Sequence, residues 1–109
     1  MSTTITVPQG RTSMEHVETL GIPSVSRQLA AGASSANTAL TSNVTRISIR
    51  AVGADIRYSV GRTAQTANAT TSHFIANGER LDIAVPAPAN IAVIRAGTTS
   101  GTLELSELV

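Results

Sequence analysis

Two histidines and seven carboxylates are the side chains in this sequence that could move protons or hold a metal ion, and there is no cysteine. His16 stands between Glu15 and Glu18, but residues one or two apart on a helix point away from each other. No HExxH or other ligand spacing includes it. His73, next to Phe74, reads as a strand-end histidine with a local hydrogen bond. Glu79 and Asp82 flank the start of a strand and are better explained as solvated edge charges than as a general acid/base pair. Serines are numerous, yet none sits in a G-x-S-x-G elbow with His and Asp partners in view, and Ser100 reads as a turn residue. Gly53 and Gly61 close strands; they do not cradle a phosphate. Without Cys, disulfides, iron–sulfur clusters and thiolate zinc sites are excluded. The triplets Asn43-Val44-Thr45 and Asn68-Ala69-Thr70 match a glycosylation acceptor, which matters only in a secreted chain. These residues point to no catalytic centre, metal or cofactor, so the expected role is not enzymatic.

Composition narrows the remaining classes. At 109 residues and 41% hydrophobic content, the chain is expected to form one domain. Aromatic residues make up only 2%, with Tyr58 and Phe74 the sole rings, so Ile, Val, Leu and Ala must fill the core. A small core of this kind leaves a monomer marginal, and burial against copies of itself or a larger partner would help. The formal charge is +1, with no basic cluster and no stacking platform, so nucleic acid is not expected as a partner. All eight basic residues are Arg, the residue favoured at protein interfaces for its flat, forked donor group, although a GC-rich coding genome explains the bias equally well. MSTTITVPQG lacks the basic region and apolar run of a signal peptide, and no window is long and apolar enough to span a membrane. A soluble chain made in the cytoplasm, without membrane contact, is the expectation.

The elements that must position any functional residue are strands. Arg46–Gly61, RISIRAVGADIRYSVG, alternates Ile47 and Ile49 with Arg46, Ser48 and Arg50, then Ile56, Tyr58 and Val60 with Asp55, Arg57 and Ser59. A period of two with one apolar face predicts strands over Thr45–Ala51 and Asp55–Val60, joined as an antiparallel hairpin by Val52-Gly53-Ala54. Further strands are expected over Val25–Ala30, Asn37–Thr41, His73–Ala76, Arg80–Val85, Ile91–Ala96 and Thr102–Leu108. Ile91–Ala96 is nearly apolar on both faces and reads as a central strand. Asn77-Gly78 is a strong turn signal. Arg62–Ser72 is polar, small and aperiodic, the longest loop, and loops of that length tend to be mobile or functional. Residues 25–109 therefore predict an all-β domain, an antiparallel β-sandwich or jelly-roll-like fold of about eight strands.

Residues 1–24 differ. Thr3–Val7 is β-prone and stops at Pro8 and Gly10; Thr12 to Glu15 resembles a capping box, and Met14, Val17 and Leu20 could line two helical turns before Gly21 and Pro23. So short a helix needs something to lie against, which favours an N-terminal arm that orders on a neighbour. An internal echo adds a hint of two four-stranded units: Leu29-Ala30-Ala31-Gly32 matches Ile75-Ala76-Asn77-Gly78, 46 residues on. Ile49-Arg50-Ala51 matches Ile94-Arg95-Ala96, 45 residues on.

The run RISIRAVGADIRYSVG, followed by SHFIANGERLDIAVPAPANIAVIRAGTTSGTLELSEL, resembles small β-sandwich structural proteins of tailed-bacteriophage virions. The shared pattern is a G-x-D-I-x-Y segment, an I-A-V-I strand and a G-T-L-x-L-x-E-L ending. The resemblance covers Thr45–Val109, and Val25–Ser42 less clearly. It implies a virion protein: a capsid decoration or cement protein, or else a head-to-tail adaptor, neck or tail-associated protein. The implied partner is the major capsid protein or another virion protein, and the implied state a homo-oligomer. No functional residue carries over from the resemblance. By their own chemistry, Met14, Val17 and Leu20 are the arm's candidate anchors, and Arg46, Arg50, Arg57 and Arg80 the outward candidates for charge-assisted contacts. A carbohydrate-binding sandwich is a weaker alternative because sugar faces usually stack on rings. A cupin-type hydrolase or isomerase is weaker still, lacking the two or three inward histidines such sites use.

Overall fold

The computed structural model describes residues 21–109. Met14, Val17 and Leu20 lie outside them, as does the rest of the expected arm up to its last four positions. Eight strands follow in chain order: β1 (Pro23–Ala31), β2 (Ala36–Ala39), β3 (Arg46–Val52), β4 (Ile56–Gly61), β5 (His73–Ile75), β6 (Arg80–Ala84), β7 (Asn90–Arg95) and β8 (Gly101–Leu108). β1 begins two residues before the expected Val25. Ile22 and Val109 exchange two backbone hydrogen bonds of 2.8 Å, which extends the pairing with the chain's last residues. Proline is tolerated at the start of β1 because β1 is an edge strand.

The strands form two antiparallel sheets, the first ordered β1-β8-β3-β6 and the second β2-β7-β4-β5. β1 pairs with β8, β2 with β7, β3 with β6 and β4 with β5. Every one of these registers has nearly the same midpoint: Arg27 and Leu105 average to position 66, Asn37 and Ala92 to 64.5. The chain is thus one antiparallel ribbon turning back at the loop that holds Gln65. Rolling the ribbon adds the β3–β8 and β4–β7 ladders that complete each sheet. This is an eight-stranded jelly-roll sandwich, the all-β fold class expected from the sequence.

The Arg46–Gly61 stretch is not a hairpin. β3 lies in the first sheet and β4 in the second, so Val52–Asp55 is an arch between layers. The apolar period is the same in both arrangements, because each strand turns one face to the core whatever its neighbour. Ile47, Ile49 and Ala51 meet Ile56 and Tyr58 across the sandwich, together with Leu29, Leu103, Leu105, Ile75, Ile91 and Val93. Asn77-Gly78 is likewise an arch, with Gly78 at φ 85° in the left-handed region that makes glycine the fitting residue. Among the described strands, the only sequential pair that shares a ladder is β4 and β5, and the 62–72 loop joins them.

That loop is a strap across the outer face of the second sheet. The Gln65 N–H donates to Asn37 Oδ1 at 2.9 Å, the Ala67 N–H to Ser35 Oγ at 2.8 Å, and Ser59 Oγ–H to Gln65 Oε1 at 2.8 Å. Arg62 closes its start by donating to the Ala87 carbonyl, while Asn90 Nδ2 donates to the Arg62 carbonyl. Beneath the strap, Ala92 of β7 is fully buried on the face that points away from the core. β7 is therefore apolar on both faces for a physical reason: the core lies under one and the strap over the other.

Candidate functional site

Among the described residues, no loop straps the first sheet in this way. Its outer face is built from the positions that alternate with the core residues of β1, β8, β3 and β6, and the register sets them in rows across the strands. One row runs Ser26, Ser106, Ser48, Asp82; the next runs Gln28, Glu104, Arg50, Arg80. Serines are short, so the first row forms the floor of a shallow cavity of about 240 Å³, walled by Arg50, Arg80 and Glu104. Arg80 leans over that floor, its Nε donating to Ser48 Oγ at 3.1 Å, and Ser48 is only 8% exposed although it faces outward. Gln28 Nε2 approaches Glu104 Oε1 at 3.5 Å. Beyond the serines a further row sets Arg46 between Leu108 and Ala84. Arg46, Arg50 and Arg80 against Asp82 and Glu104 leave this face with one net positive charge.

Three of the four arginines singled out from the sequence thus share one surface. Arg57 does not: it sits on the outer face of the second sheet, where its Nη1 donates to the Ser72 carbonyl at 2.8 Å. Its guanidinium also lies 5.1 Å from the centroid of the Phe74 ring. Phe74 is 45% exposed, so Arg57 and Phe74 cover each other at the strap's end. His73 opens β5 as expected and packs against Tyr58, with ring centroids 5.4 Å apart. Burial, followed by the negative charge of Glu79, raises the Tyr58 phenol above its ordinary value.

Glu107 was not anticipated as a special residue. It has the inward phase of Leu103 and Leu105 on β8, and its side chain is fully buried. Glu107 Oε2 accepts Arg27 Nε–H at 3.0 Å and the Thr41 backbone N–H at 3.1 Å. Burial works to raise its carboxyl, but hydrogen bonds from Thr41 and Arg27, with the Arg27 charge, together hold it below the ordinary value. This is a structural ion pair tying β1 and the β2–β3 loop to β8. At the opposite end of the sandwich, Gly53, Asp55, Asn77, Thr98 and Thr99 line an open depression of about 280 Å³. Its walls are mutually satisfied: the Asn77 N–H donates to Asp55 Oδ1 and the Gly53 N–H to Asn77 Oδ1. No group of three or more metal-ligating side chains occurs among the described residues.

The serine row was missed from the sequence. Each serine stands in a visible outward phase, but their convergence depends on pairing between strands far apart in the chain, which no local spacing encodes. Compared with known proteins, the chain matches no protein-family model and no curated protein. Among solved structures it is similar to one titled "Crystal structure of PirA", with 17% sequence identity and a TM-score of 0.48 over 75% of this chain and 92% of that one.

Proposed function

We propose that this protein is a non-enzymatic structural component of a tailed-bacteriophage virion. Its role is that of a capsid decoration or cement protein, gripping assembled capsid subunits with the outer face of its first sheet. The observation that carries this reading is the asymmetry of the two sheets. Among the described residues, the 62–72 strap covers one outer face, while the other is polar and set with three arginines. A protein that works by contact needs one such face, whereas a catalytic jelly roll needs converging acid, base or metal-ligating groups. The sequence resemblance supplies the class of partner. Binding only the assembled shell would stabilise it by mass action, by about 2.7 kcal/mol per site at a free concentration one hundred times the Kd. Closed symmetric oligomers suit the points where capsid subunits meet, and residues 1–24 would add an arm anchored by Met14, Val17 and Leu20.

Co-sedimentation with capsid shells of the same phage, with and without residues 1–24, tests this reading. Stoichiometric binding to assembled shells, but not to free capsid subunits, is the expected result. Counting copies in purified particles separates decoration from the neck or tail alternative: roughly hundreds for a decoration protein, about a dozen or fewer for a neck ring. Absence from the particle would overturn both.

A further inference from the structure

On the outer face of the first sheet, Arg50 of β3 and Arg80 of β6 stand directly opposite each other in register. Both side chains are exposed, and like charges directly opposite on neighbouring strands oppose the pairing they sit on. Glu104 flanks Arg50 on its other side and Asp82 lies one row along from Arg80, so this row by itself sets two guanidiniums against one carboxylate. Arg80 is also held in place: its Nε bond to Ser48 turns the guanidinium over the serine floor, which fixes where a negative group would be met. A local conflict in an otherwise consistent sheet is the kind of place where functional sites are expected.

We propose that the serine-floored groove takes an extended segment of a partner protein, with one Asp or Glu carboxylate of that segment held between Arg50 and Arg80. The chemistry of the groove selects this occupant. A carboxylate presents two oxygens, one to each guanidinium, and such charge-assisted N–H···O bonds are stronger than neutral ones. Ser26, Ser106 and Ser48 offer hydroxyls that donate to or accept from a peptide backbone lying across them, and Glu104 and Gln28 add acceptors for its N–H groups. Asp82 and Glu104 on either side of the arginines repel a continuous phosphate backbone, and the face has no ring on which a base could stack. Four strands about 4.8 Å apart give the groove a run of about 14 Å, the length of roughly four extended residues. The virion reading enters only in naming the source of the segment, a capsid subunit.

The test titrates the isotope-labelled full chain with a blocked tetrapeptide containing one glutamate, with its glutamine counterpart, and with inorganic phosphate, while amide shifts are followed. The glutamate peptide is expected to shift amides of β3, β6 and β8 and to bind about tenfold more tightly than the glutamine peptide, as loss of a charge-assisted pair implies. The double variant R50Q/R80Q, altered only at exposed positions, should erase that difference and keep the thermal midpoint within a few degrees. Equal binding of the two peptides, or phosphate matching the glutamate peptide, overturns the proposal. So does an R50Q/R80Q chain that keeps the glutamate preference. Capsid co-sedimentation separates the two readings. Wild-type protein that binds the glutamate peptide but no shell sinks the virion reading alone. R50Q/R80Q protein that decorates shells as wild type does sinks the groove alone.

Discussion

Glu107 shows how a single side chain can set the pH response of a sandwich. Its carboxyl is lowered in the folded state, so its contribution to stability is present above the ordinary value of 4.5 and is lost as pH falls through the folded value. Thermal midpoints measured from neutral pH downward should therefore drop below about pH 4.5, and Glu107→Gln should flatten that part of the curve. Glu107→Ala leaves Arg27 and the Thr41 N–H without their partner and should cost about 3 kcal/mol in urea unfolding. Glu104→Ala, on the outer face of the same strand, should change stability by about 0.5 kcal/mol or less. Glycines supply a second contrast. A Cβ on Gly101 would stand 2.8 Å from the Val52 carbonyl oxygen and 3.0 Å from the Ala54 nitrogen, whereas one on Gly97 would meet nothing within 4 Å. Gly101→Ala should destabilise by about 1–3 kcal/mol, because the backbone of the β3–β4 arch cannot step aside. Gly97→Ala should be neutral or slightly stabilising in the same assay.

Among the elements, the strap over the second sheet is the least expected. Length and composition suggest a mobile loop, yet two backbone amides of the loop are pinned by side chains of Ser35 and Asn37. Hydrogen exchange should find the amides of Gln65 and Ala67 protected. Asn37→Ala should speed exchange at Gln65 while Ala67 stays slow, and Ser35→Ala should do the reverse. Uniformly fast exchange across 62–72 in the wild type would show that the strap does not hold. How much of this was legible follows from what a period of two encodes. It shows which face of each strand is apolar, so Ile47, Ile49, Ile56 and Leu105 were readable as core from local sequence. It does not show the neighbour, so β3 and β4 read as a hairpin when they are layers apart. The internal echo fails because its two four-strand units are consecutive in sequence, whereas each sheet takes two strands from either half of the chain. Nor do its matched residues share a phase: Ile49 faces the core, while Ile94 sits in register with Arg57 on the outer side of the second sheet. The candidate site was half visible: the arginines by chemistry, the serine floor only once the register of β1, β8, β3 and β6 was known.

For the whole molecule, the ribbon arrangement makes long-range contact the rule. Arg27 and Glu107 are 80 residues apart in sequence, and the β1–β8 ladder they lie in closes the first sheet. Folding is expected on the millisecond-to-second scale of non-local β proteins, and stopped-flow refolding measures it directly. β8 lies between β1 and β3, so a chain ending before Gly101 should lose cooperative unfolding altogether. The same division of surfaces holds at this scale: the strap closes one side of the sandwich, and the other side carries Arg46, Arg50 and Arg80.

The pairing of Ile22 with Val109 has one more consequence. Because the two are hydrogen-bonded to each other, a chain without residues 1–21 could have them joined by a short linker, with new ends opened at the ribbon's far tip, between Asn68 and Ser72. Such a circular permutant should keep the eight-stranded roll, and it would move any fused cargo from one pole of the sandwich to the other.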